Sequence, residues 1–219
     1  MATRTGETER ANDVWAEKVE LYFLTALGAL LGSVAAAYAN VFLVSVLSGV
    51  PFGEIIGSEN PYVVANGYTY VAGFTEPILT KGLPVFVAFA VWGVRRRQTR
   101  LDTASMGWRL GAFSGLIFGV YEAYSKMYAL GNNQLDSIFV WQDPSFTIPI
   151  GTVIFLHVLW GTFAGLAVGQ AYGDDGKVVR REWIALVVGY LGLAVFHGFI
   201  YNGYLVQRGH YIEILEWLL

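Results

Sequence analysis

The chain has 219 residues, 55% of them hydrophobic and only 14% charged, with a net charge of −3 and no cysteine. Its charges lie in short stretches between long apolar runs, and its mean hydropathy is +0.48, whereas a soluble domain carries about 25% charge; the pattern indicates membrane spans. Disulfides, thiol nucleophiles and thiolate metal sites are excluded, and the weak net charge gives no reason to expect a nucleic-acid partner.

Segment 1–19 is polar and mixed in charge, without the apolar core or small-residue cleavage site of a signal peptide, so it is expected to be a cytoplasmic tail. Apolar segments follow at 20–48, 68–94, 107–130, 149–172 and 183–206, each meeting the length of about 20 residues that a bilayer demands. The expected fold class is all-α, a polytopic transmembrane helical bundle of about five spans covering 20–206. Trp92, Trp108, Tyr128, Tyr172, Trp183 and Tyr204 near span ends suit interfacial belts. The tail 207–219, with Ile212, Ile214, Leu215, Trp217 and Leu218, is too short to span and is expected to lie at the interface.

Positive charge alternates along the connections. Arg4, Arg10 and Lys18 precede the first span, Arg95, Arg96, Arg97 and Arg100 follow the second, and Lys177, Arg180 and Arg181 follow the fourth. Segments 49–67 and 131–148 carry neither Lys nor Arg. The positive-inside rule then puts the N-terminus in the cytoplasm and the C-terminus outside a cell membrane.

Glycine is abundant, at 26 residues, and regularly placed. Gly28, Gly32 and Ala36, then Gly107, Gly111, Gly115 and Gly119, then Gly161, Gly165 and Gly169 repeat at four-residue spacing, which puts each set on one helix face. Small faces let membrane helices approach closely. His157 lies on the face of Gly161, and Glu122 falls nearly on the face of Gly119.

The ionisable residues inside the apolar segments are Glu76, Lys81, Glu122, Lys126, His157 and His197. Charge at the bilayer centre is costly, so such residues usually face the protein interior and carry function. Counted along their helices, Glu76, Glu122, His157 and His197 all fall roughly 12–14 Å below the outer surface. Pro77 follows Glu76, biasing that residue away from helical conformation and removing a backbone donor. The second span is therefore expected to break there, as helices lining polar cavities do. A competing reading pairs Glu122 with Lys126, four residues on, as a purely structural couple.

Carboxylates and imidazoles around one buried point suit general-base activation of water or a metal site that acidifies it. Peptide hydrolysis follows from either. A His-Glu-x-x-His zinc motif is absent, no aspartate lies in a span, and Ser114-Gly115 has Ala112 where a rhomboid-type Gly-x-Ser-Gly needs glycine. Two other classes compete: an ion or small-solute transporter, disfavoured by the lack of an internal repeat, and a catalytically inactive membrane scaffold.

Four blocks carry a resemblance. They are Thr75-Glu76-Pro77-Ile78-Leu79-Thr80-Lys81-Gly82-Leu83-Pro84, Phe118-Gly119-Val120-Tyr121-Glu122-Ala123-Tyr124, His157-Val158-Leu159-Trp160-Gly161-Thr162 with Gly165, and Phe196-His197-Gly198-Phe199-Ile200-Tyr201-Asn202. In this order they resemble the PrsW-type intramembrane proteases, relatives of the CAAX-prenyl endopeptidases, over about 72–202. The first block has one Glu where the family has two, Lys81 and Asn202 each come one residue late, and Ala123 replaces an Asn. The resemblance implies an endopeptidase, glutamic or metal-dependent, acting on a membrane-anchored protein within the lipid bilayer. It implies Glu76 or Glu122 as general base, His157 and His197 as metal ligands or oxyanion stabilisers, and Lys81 and Asn202 in support. A divalent metal such as zinc would sit at Glu122, His157 and His197.

Overall fold

The computed structural model describes residues 3–57, 71–95, 101–130, 144–172, 189 and 192. Every element among them is a helix: α1 (Thr3–Ser48), the short α2 (Phe52–Gly57), α3 (Val71–Arg95), α4 (Thr103–Leu130) and α5 (Pro144–Ala171). Three stretches are long and apolar enough to cross a bilayer, namely Asp13–Leu47 of α1, α3 and Ile154–Ala171 of α5. The first helix begins at Thr3 and so runs through the polar segment read as a tail. The fifth apolar segment lies outside the described residues apart from Gly189 and Gly192.

The distribution of side chains on α1 is the inverse of that on a helix in water. Glu17, Leu21, Thr25, Ala29, Ser33, Ala36, Asn40 and Val44 form its buried stripe, half of it polar. Phe23, Leu27, Leu30, Leu31, Val34 and Phe42 point outward. In water that face would be a large apolar patch; against lipid tails it costs nothing, and Glu17, Ser33 and Asn40 find hydrogen-bond partners inside. Ser33 donates to the Ala29 carbonyl at 2.7 Å, and Glu17 accepts from the indole of Trp92 at 3.2 Å. The helix ends where Gly49 takes φ +71°, a left-handed conformation that glycine adopts without strain.

α1 and α3 run antiparallel. Glu20 pairs with Arg95 at one end, Gly28 faces Pro84 and Gly32 faces Leu79 in the middle, and Asn40 meets Thr75 at the other end. α4 and α5 are antiparallel and in backbone contact. A methyl group added at Gly165 would lie 2.6 Å from the Cα of Gly111, and one added at Gly107 would lie 2.8 Å from the Cα of Gly169. Nothing larger than hydrogen fits at these crossings, so the two glycine stripes are the packing surface itself. At the far end of this pair the Thr103 hydroxyl donates to the Tyr172 carbonyl at 2.7 Å. A cluster of Leu21, Val85, Phe89, Trp92, Leu110, Val168 and Tyr172 joins the two pairs.

One expectation fails in an informative way. α3 does not break at Pro77: Glu76 is helical, with φ −64° and ψ −47°, and the chain widens into a π-helix over Pro77–Gly82 before resuming as an α-helix from Leu83. Proline removes one donor from the ladder, and a wider turn redistributes the rest. The Leu83 amide reaches the Ile78 carbonyl. The Thr80 hydroxyl donates to the Glu76 carbonyl at 2.6 Å, and Ser114 from α4 donates to the Thr80 carbonyl at 2.5 Å. Hydroxyls thus satisfy backbone acceptors that lipid could not.

Candidate metal centre

The π turn has a consequence for register. In an α-helix, residues four apart share a face, but a π turn closes between residues five apart. Lys81 follows Glu76 by five, and the extra residue that makes it late is taken up inside the widened turn. Glu76 and Lys81 are thereby returned to one side of α3. Both are buried, at 7% and 0% exposure.

The antiparallel glycine faces bring the other two residues together. Gly119 packs on Ile154 and on the Cβ of His157, so Glu122, about one turn beyond, faces the same imidazole. Nε2 of His157 and Oε2 of Glu122 are hydrogen-bonded. The histidine ring is held by two perpendicular aromatics, Phe118 at 4.7 Å and Trp160 at 5.2 Å. His157 is 3% exposed and Glu122 21% exposed, so of this pair Glu122 is the more accessible.

Glu76, Glu122 and His157 each offer one ligand atom, and these atoms lie within 4.8 Å of one another. Two carboxylate oxygens and one imidazole nitrogen form a donor set suited to zinc and other divalent ions. A catalytic zinc takes three protein ligands and leaves a further position for water. The residues present therefore fit such an ion. Without one, two carboxylates beside an imidazole still form an acid–base group in a dry setting.

Of the residues singled out from sequence, Glu76, Glu122 and His157 converge on one point from three helices, and Lys81 stands beside them. His197 and Asn202 lie outside the described residues, as does the side chain of Lys126. Sequence reasoning passed over Asn40, whose side chain is hydrogen-bonded to the Thr75 hydroxyl next to Glu76. An asparagine inside the first apolar segment was itself the signal, since an amide in lipid needs a partner. Phe118 and Trp160 gave no signal beyond their place beside the site residues, because aromatic residues in spans usually serve packing.

Comparison with known families returns a match over residues 18–217 to the model of the PrsW family intramembrane metalloproteases. No curated protein and no solved structure matches the chain.

Proposed function

The chain belongs to the PrsW family of intramembrane metalloproteases, and from that premise we propose that it cuts a membrane-anchored protein substrate at the buried point where Glu76, Glu122 and His157 meet. The observation that carries the reading is the convergence of these three ligand atoms. The three side chains would hold a divalent ion such as zinc. When bound, such an ion acidifies a water and polarises a carbonyl.

The chain's own residues supply the rest. Glu122 is more exposed than His157; one of its oxygens would hold the ion and the other is the proton acceptor. It takes a proton as the water oxygen bonds to the peptide carbon, and returns it to the amine as the carbon–nitrogen bond breaks. In the metal-free protein His157, fixed between Phe118 and Trp160, orients the Glu122 carboxylate through Nε2; an ion held by that nitrogen would take the place of this hydrogen bond. Glu76, the more deeply buried acid, serves as an anchor for the ion. His197 takes the oxyanion role implied by the family blocks or serves as an alternative ligand, with Asn202 in support. The site lies in the outer half of a cell membrane crossed about five times, with the N-terminus inside.

The test uses purified wild type and Glu122→Gln in detergent against a panel of single-span substrates. Cleavage by the wild type that disappears in the variant, with unfolding temperature unchanged, supports the reading; cleavage retained by the variant contradicts it. A second reading, a non-catalytic scaffold, draws on Thr75. Thr75 or Pro77 stands where the family has its other Glu, and the Thr75 hydroxyl engages Asn40 and the Val71 carbonyl. A scaffold would function normally with Gln at both Glu76 and Glu122.

A further inference from the structure

Among the residues whose burial is described, Lys81 is the one Lys or Arg that is fully buried, at 0% exposure. Its ammonium donates to the Thr80 hydroxyl at 3.2 Å and rests 4.5 Å from the centroid of the Phe118 ring, the ring that also braces His157. Glu76 precedes it by one π turn on α3, and Glu122 follows Phe118 by about one turn on α4. A buried ammonium and a pair of carboxylates drawn into one dry site are each unfavourable alone. Placed together they compensate. A divalent cation arriving at the carboxylates would meet the ammonium as a like charge.

We propose that Lys81 is a positioning residue and the resident cation of this site: it balances Glu76 and Glu122 in the metal-free protein and competes electrostatically with the incoming divalent ion. The π turn over Pro77–Gly82 delivers the ammonium to this place. The proposal rests on the metal reading for its second half only; the counter-ion role concerns the protein without metal.

The test compares the full-length wild type, Lys81→Met, Lys81→Arg and the double variant Lys81→Met with Glu76→Gln. Thermal unfolding is measured in detergent with chelator, and zinc affinity by calorimetric titration. Lys81→Met is expected to unfold at lower temperature in chelator, Lys81→Arg to stay near wild type, and the double variant to recover at least half the loss. Zinc is expected to bind Lys81→Met at least tenfold more tightly than wild type. A merely packed lysine would give no recovery on removing a carboxylate. If Lys81→Met yields no folded protein, the yield of the double variant decides: recovery supports the proposal and none overturns it. Unchanged unfolding of Lys81→Met in chelator, or unchanged zinc affinity, also overturns it. A wild type that takes no zinc while the stability pattern holds would remove the metal centre and leave the counter-ion role standing.

Discussion

Replacing Glu122 by Gln keeps the size and reach of the side chain and removes only its charge and basicity. On the general-base assignment, cleavage should fall by about 10²–10⁴-fold, measured as initial rate on a single-span substrate, while the protein still folds. Phe118→Ala should act differently. It deletes the ring against which both His157 and Lys81 rest, and loss of a buried aromatic costs about 3–5 kcal/mol, so both unfolding temperature and rate should drop. At this scale the sequence marks the candidates, because charge in an apolar segment is expensive and therefore conspicuous. Glu76, Glu122 and His157 stood out from composition and depth alone. Asn40 announced the need for a partner but not which one, and Ser114 announced neither, because the partner lies across a helix interface and spacing along one helix carries no such information.

The elements turn on two departures from a plain helix. Where Gly111 and Gly165 cross, backbone meets backbone. Gly165→Val should therefore separate α4 from α5 and cost at least about 1–3 kcal/mol, the usual range for overpacking, with loss of activity because Glu122 and His157 ride on the two helices. Gly53→Val, at a position with no described atom within 4 Å, is the control and should be silent. The π turn makes a sharper prediction. A deletion inside an α-helix rotates everything beyond it, but a deletion inside a π turn removes the inserted residue and restores the α register. Deleting Ile78, whose side chain is 48% exposed, should therefore leave a folded protein, read by size-exclusion profile and unfolding temperature. Collapse of the fold would contradict the register argument. Glycine spacing announced the α4–α5 contact from sequence. Pro77 announced a lost donor but not its remedy, which comes from Thr80 and from Ser114 on another helix.

For the whole molecule, membrane residence was legible from composition, and the inverted polarity of α1 agrees with it. The number of spans was less so. α4 carries Arg109, Glu122 and Lys126, which lower its average hydropathy, yet Glu122 faces a neighbouring helix. Averaging along a sequence treats inward and outward polar groups alike. The natural absence of cysteine makes topology directly measurable. Single cysteines at Thr5, Gln134 and Gly209 in intact cells should give labelling by an impermeant thiol reagent at the latter two and protection at the first. Labelling of Thr5→Cys, or protection of Gly209→Cys, would contradict an inside N-terminus with about five spans.

The central claim is that three helices bring Glu76, Glu122 and His157 to one metal-dependent hydrolytic centre. The most direct test is elemental analysis of the purified, zinc-reconstituted protein after desalting, with Glu76→Gln and His157→Ala prepared in parallel. The account predicts one zinc per wild-type chain and loss of it in both variants, each still folded. Equal zinc in all three preparations, or none in a well-folded wild type, would contradict it.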